Sequence, residues 1–382
     1  MLYIKNAKIV LENGILWDGV LAVEEDRIVA VGSAGEISVP EGAQVLDAQG
    51  LYVGPGFVDL HVHGGGGHLF FEEPEGAAKH FLNHGETTVL PTFYYDLSRE
   101  EFLESVDRVR EAMAGEGAGR AIGGIYMEGP YMNPKYGASP EKNKWQGDIC
   151  KEEYEAIVDK AGSLAKIWAV APERKGLEPF LQYAKEKNPD VVFAIGHSEA
   201  TPEQIRKLKK YGVGLQTHCM NATSQISKLI GTRGCGPDEY CLLEPDMYAE
   251  LICDSHGMHV QPDLIRLVVK TKGVDRVVLI TDSFVSKEEI PADMQHIEDL
   301  QFDANGDLCG SKLTMEVACR NMMRHTNCGI AQVFLMASRN PARVIGMEEE
   351  IGTIAVGKRA NLVLVDDMFH INTVILEGRI WQ

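Results

Sequence analysis

PGFVDLHVHGGGG, residues 55–67, joins a short apolar run to two histidines and then to four glycines. On a strand, His61 and His63 stand two apart and point to the same side. Seven more apolar runs of similar length follow: Thr87–Leu90, Ala121–Met127, Lys166–Ala171, Val191–Ile195, Val213–Thr217, Tyr248–Cys253 and Val277–Thr281. Amphipathic stretches with helical spacing lie between most of them, at Arg99–Ala114, Lys151–Ala161, Pro202–Tyr211 and Pro262–Lys272. Continuous apolar strands alternating with helices predict a parallel sheet covered on both faces. Eight such strands predict an α/β fold, a (β/α)8 TIM-type barrel; an open doubly wound sheet is the structural rival.

Outward from the barrel, both chain ends read as β-structure. Ile4–Leu11, Leu16–Val23 and Arg27–Val31 are separated by Asn-Gly, Asp-Gly and Glu-Asp turns, and Ile351–Gly357, Asn361–Val365 and Thr373–Glu377 are strand-like pieces near the other end. A second, small β-sandwich domain from residues 1–54 and 348–382, beside a barrel over 55–347, is therefore expected. Long insertions are expected over Gly129–Asp148 and Asn221–Pro245, at the mouth of the barrel.

Composition narrows the function classes. The formal net charge of -19 and the lack of a basic stripe argue against nucleic acid and anionic membranes as partners. No apolar run is long enough to span a bilayer, and Met1–Lys5 does not begin a signal peptide, so the expected location is cytoplasmic. The eight cysteines form no CxxC pair and read as reduced thiols.

The ends of the predicted strands carry the chemistry. The first ends at His61 and His63, the third at Glu128, the fifth at His197, the sixth at His218 and the eighth at Asp282. Barrel strand ends converge on one mouth, where active sites lie. Singly, each residue reads as structural: a satisfied strand histidine, a turn acid, a cap. Together, four imidazoles and two carboxylates form a donor set suited to Zn, Fe, Mn or Co. The glycines 64–67 lack the Lys and helix start of a P-loop and read as room for a ligand or as a turn. Of His256 and His259, which follow the seventh strand, one is expected in the site. Met315, Met322, Met323 and Met336 read as core, and His68, His80, His84, His296, His325 and His370 as surface or structural.

Longer motifs make the reading specific. MEGPYMNPKYGA (127–138), APE (171–173), GHSEAT (196–201), THCMNA (217–222), GMHV (257–260), TDS (281–283), LCGSKLTM (308–315), NPARVIG (340–346) and IGTIAVGKRANLVLVD (351–366) follow residues 55–67 in order. With them the chain resembles the N-acetylglucosamine-6-phosphate deacetylase family of the amidohydrolase superfamily. The resemblance implies hydrolytic deacetylation of an amino-sugar phosphate by a metal-activated water, with Asp282 as base and then acid. It implies Glu128 as a bridging ligand, His197 and His218 on one metal, and His61 and His63 on a second. It makes His259 a substrate-binding histidine near the reacting carbonyl or the phosphate. Ala138, Ser139, Asn221, Ala222 and Leu308 are expected to line the sugar pocket, Arg233 to reach a phosphate, and the protein to be a homodimer. Ser139 stands where the family usually has His, the loop after the sixth strand is longer, and two residues are inserted between Asp254 and His259. These departures lie near the substrate and leave three alternatives: the galactosamine epimer or an unphosphorylated sugar, another cyclic or acyl amide, and a non-catalytic scaffold.

Overall fold

The computed structural model describes residues 1–223, 234–287, 292, 295–303 and 306–381. Eight parallel strands form its central sheet: Phe57–Val62, Glu86–Tyr94, Ile125–Glu128, Ala165–Val170, Val192–Ile195, Val213–Gln216, Tyr248–Ile252 and Val277–Ile280. Each pairs in parallel with the next in chain order. The first and eighth strands meet beyond their ends, where Asp282 donates its N–H to the His61 carbonyl and His63 donates to Ser283. The sheet is thus a nearly closed barrel. Val, Ile, Leu and Ala fill these strands because both faces are covered, by side chains inside and helices outside.

The helices begin where their sequence supplies caps. Ser98 and Glu101 form a capping box for Arg99–Met113, and Thr201 with Gln204 does the same for Pro202–Leu208. A proline opens Pro262–Lys272 at its first turn. Met315, Met322 and Met336 are fully buried, as core residues should be.

Both chain ends build a separate, mostly β region. Its strands Leu2–Leu11, Gly14–Glu24, Arg27–Ser33, Gln44–Asp47, Tyr52–Pro55, Leu362–Val365, Ile371–Leu376 and Arg379–Ile380 share one mixed hydrogen-bonded sheet. Ile351–Gly357, expected to be a strand, is not one. Gly352 and Gly357 take φ of +87° and +93°, and the segment turns back so that Arg359 donates its N–H to Glu350. Ile351 and Ile354 are buried, which explains the strand-like pattern without a strand. The glycine run also has a definite structure: Gly64–Gly65 pairs with His68–Leu69 in a two-stranded hairpin. A side chain on Gly64 would collide with the His68 carbonyl. All eight cysteines are free. Among the described residues, no helix is long and apolar enough to cross a membrane.

Candidate active site

The barrel converges six predicted residues on one point. Glu128, at the end of the third strand, divides its two oxygens between two pairs of imidazoles. Its Oε1 lies 2.8 Å from His197 Nε2 and 3.1 Å from His218 Nε2. Its Oε2 lies 3.2 Å from His61 Nε2 and 3.1 Å from His63 Nε2. Asp282 Oδ1 faces the second pair, 3.5 Å from His61 Nε2 and 3.3 Å from His63 Nε2. All but His63 are buried. Three of the six hold left-handed backbone, with φ of 46° at His197, 24° at His218 and 49° at Asp282. Such conformations cost about 1–3 kcal/mol each and cluster at functional sites, where the surrounding structure enforces them.

Burial opposes charge throughout the cluster, and the neighbours overrule it at most positions. At His61 burial disfavours the imidazolium, but the charges of Glu128 and Asp282 raise its pKa well above the usual histidine range. His63 is raised to about 9 against burial by hydrogen bonds to Asp282 and Glu128. Glu128 is held well below the usual range despite burial, by the His61 charge and by hydrogen bonds from His197 and His218. Asp282 is lowered in the same way, against burial, by His61 and His63. Burial prevails only at His197, whose pKa falls. Two buried carboxylates therefore call for positive charge at this point.

Two groups of three donors, His61–His63–Glu128 and Glu128–His197–His218, have ligand atoms within 4.8 Å of one another and share Glu128. The donor chemistry fits a divalent metal. So does a poorly satisfied atom: His61 Nε2 is fully buried and makes no well-aligned hydrogen bond, although Glu128 Oε2 lies 3.2 Å away. Such a nitrogen is costly unless something else occupies its lone pair. The outer ring nitrogens orient two of the candidate donors. His218 Nδ1 faces the Asn221 carbonyl at 3.2 Å, and His61 Nδ1 faces Glu250 Oε2 at 3.4 Å, so each Nε2 is turned to the cluster.

Above the cluster opens a pocket of about 660 Å³. Ala138, Ser139, Asn221, Ala222, His259 and Leu308 all line it. His259 hydrogen-bonds Asp254 Oδ2 through Nδ1 at 3.1 Å, and its Nε2 lies 3.1 Å from the Gly310 carbonyl. His256, the other histidine of that segment, faces solvent beside Ser255. Arg233 lies outside the described residues.

Three residues escaped the sequence reading. Glu250 accepts the His218 N–H at 3.2 Å and touches His61, yet it sits mid-strand, where no strand-end rule finds it. A lone acid within the apolar run Tyr248–Ile252 was the available signal. Tyr126 packs its ring on His61 at 4.5 Å, and Tyr94 stands edge-on to His63 and His197 at 5.8 and 6.0 Å. Neither carries a sequence signal, because aromatic residues are ordinary in strands.

Comparison with known proteins agrees with this arrangement. An amidohydrolase family model matches residues 52–381. The chain is 28% identical to an N-acetylgalactosamine-6-phosphate deacetylase of Escherichia coli O157:H7, over 98% of this chain and 97% of that one. It is 27% identical to an N-acetylglucosamine-6-phosphate deacetylase of Bacillus subtilis, over 99% and 96%. Among solved structures, N-acetylglucosamine-6-phosphate deacetylase from Pasteurella multocida superposes with a TM-score of 0.86 at 27% identity, covering 99% of both chains. A point mutant of the Mycobacterium smegmatis deacetylase, in complex with N-acetyl-D-glucosamine-6-phosphate, gives a TM-score of 0.81 at 28% identity, covering 99% and 98%. With its match running through the whole barrel and the later strands of the terminal sheet, the chain belongs to the amidohydrolase family.

Proposed function

We propose that this protein hydrolyses the amide of N-acetylglucosamine 6-phosphate, releasing acetate and glucosamine 6-phosphate. The observation that carries this reading is Glu128, shared between two imidazole pairs with Asp282 beside it on the floor of the pocket. The names of the relatives support the substrate class. Because the Escherichia coli relative is named for the galactosamine epimer, that sugar is the second reading.

Two divalent cations (Zn, Fe, Mn or Co) would fit the donor set: His61, His63, Glu128 and Asp282 would hold one, and Glu128, His197 and His218 the other. Bound there, they would supply positive charge that polarises the amide carbonyl and lowers the pKa of water. The chain's own groups do the rest. Asp282, in reach of the reacting centre, takes the proton of the attacking water at its carboxylate. It then returns that proton to the amide nitrogen as the C–N bond breaks, serving as base and then acid. His259, held by Asp254, orients the substrate, and Ala138, Ser139, Asn221, Ala222 and Leu308 surround the sugar. Arg233 is the candidate cation for the phosphate.

In this reading the barrel spans residues 55–347, a closed (β/α)8 barrel, and 1–54 with 348–382 form a β-sandwich domain. The terminal sheet supports this with a core of its own, including Ile4, Ile9, Leu21, Val53, Leu362 and Ile375. A cytoplasmic homodimer completes the proposal.

Acetate release from N-acetylglucosamine 6-phosphate, its galactosamine epimer and unphosphorylated N-acetylglucosamine tests the substrate. We expect kcat/KM for the first to exceed that for the last by at least about tenfold, the scale of one hydrogen bond to a charged group. Equal rates on both would remove the phosphate from the reading. Asp282→Asn should lower kcat by about 10²-fold or more while metal at the Glu128, His197 and His218 position persists; a near-normal kcat would remove Asp282 from the chemistry.

A further inference from the structure

The pocket is chemically two-sided. On the side of the loops after the third, sixth and seventh strands it presents Ser139, Lys142, Asn221 and His259, polar groups that suit a hydroxylated amine. The loops after the eighth, first and second strands, adjacent around the barrel, present a different wall. There Leu69, Phe71, Leu97, Phe284 and Val285 line the pocket, and the rings of Tyr94 and Phe284 stand edge-on to His63 at 5.8 and 6.1 Å. Leu69 and Leu97 are 6% and 4% exposed, packed into the base of this wall. The wall also carries polar groups: Asp96, Asp303 and Asp307 are its acids, and Lys287 closes the rim through an ion pair to Glu72 at 2.7 Å.

An amide placed at the Glu128–Asp282 cluster has its amine on one side of the reacting carbon and its acyl group on the other. With the amino sugar in the polar half, the acyl group enters the apolar half. Beyond its carbonyl an acetyl group is a single methyl, which covers little of a wall built from five apolar residues and a tyrosine ring. We propose that this half of the pocket is an acyl subsite that takes uncharged N-acyl groups longer than acetyl, on the same amino-sugar phosphate. The proposal rests on the deacetylase reading above. The reaction is the same hydrolysis: water's oxygen joins the acyl carbon, the C–N bond breaks, and the nitrogen leaves with the proton. Asp96, Asp303 and Asp307 set the charge rule, because their carboxylates repel an anionic acyl end.

The experiment uses the metal-replete full-length enzyme and a series of N-acyl glucosamine 6-phosphates: acetyl, butanoyl, hexanoyl and succinyl. Each buried methylene adds about fourfold in binding, so two of them should raise kcat/KM for butanoyl about tenfold over acetyl. The gain should fall mainly in KM. Succinyl, of similar length but anionic, should be slower than butanoyl by about tenfold or more. Hexanoate should also inhibit competitively at lower concentration than acetate, an equilibrium readout that needs no turnover of the longer amide. Turnover of the acetyl compound with butanoyl equal or slower would overturn the subsite and leave the deacetylase reading standing. No turnover of any member would instead overturn that reading, and the subsite with it.

Discussion

Single residues here divide into those that chemistry marks and those that only packing reveals. Histidines and carboxylates at strand ends were legible, because a donor set of one kind recurring at five of eight strand ends has few structural explanations. Glu250 was not legible, because its role exists only once the seventh strand lies beside the sixth and the barrel brings His61 across. Its Oε2 accepts the His218 N–H at 3.2 Å and faces His61 Nδ1 at 3.4 Å, so one carboxylate orients two proposed ligands. Acceptors of this kind typically contribute 10- to 100-fold in metal affinity. Glu250→Gln keeps the volume and removes the charge, and should weaken metal binding by about that factor in a chelator competition, with the far-ultraviolet spectrum unchanged. Unchanged affinity would make Glu250 a packing residue.

At the scale of elements, apolar periodicity located all eight barrel strands, because strands covered on both faces read as near-continuous apolar runs. It misplaced Ile351–Gly357, because buried isoleucines produce the same pattern when a turn caps a sheet as when a strand joins it. The loop 137–139 shows a second kind of constraint. Tyr95 donates its hydroxyl to the Ala138 carbonyl at 2.9 Å, and Gly137 passes with φ of +102° beneath both tyrosine hydroxyls. A Cβ there would collide with Tyr94 Oη and Tyr95 Oη and approach His197 Nδ1 to 2.9 Å. Gly137→Ala should therefore displace the loop and raise KM about tenfold or more, at a strain of about 1–3 kcal/mol, while the barrel's melting temperature changes little. An unchanged KM would show that the loop does not position substrate. The helix Pro74–Asn83 carries a pH dependence of its own. Burial, helped by the charge of His84, lowers the His80 pKa from 6.5 to about 4. The folded chain then binds fewer protons than the unfolded chain between those values. This contribution to stability is present above about pH 6.5 and is lost as pH falls towards about 4. His84, raised by its hydrogen bond to Glu316, acts in the opposite sense and is kept in the variant. Against His80→Gln, the unmodified protein should lose melting temperature more steeply between pH 6.5 and 4; parallel curves would end the argument.

Across the whole molecule, the terminal sheet is fastened to the barrel by aromatic packing. Phe57 stacks on Phe334 at 5.6 Å, Phe334 meets Phe369 at 5.2 Å, and Phe334 fills the space that a side chain on Gly54 would need. Sequence foretold that both ends fold together but not how they dock, since Phe57 lies hundreds of residues from Phe334 and Phe369 in the chain. Charge is the other property of the whole. The chain carries a formal net charge of -19, and Asp96, Glu141, Asp303 and Asp307 line its pocket beside Lys142 and Lys287. An anionic sugar phosphate must approach against this field, although contacts inside the pocket favour it once bound. Salt separates the two effects. The screening length is about 30 Å at 0.01 M ionic strength and about 8 Å at 0.15 M, so salt hides distant surface charge but reaches contacts in the pocket much less. Raising ionic strength over that range should therefore increase kcat/KM for N-acetylglucosamine 6-phosphate by about twofold or more, the reverse of an electrostatically steered enzyme. Unphosphorylated N-acetylglucosamine, which is neutral, should show no such rise under the same metal loading. A fall for the phosphorylated sugar would mean that the cations at the pocket mouth, and not the acidic surface around them, govern the encounter.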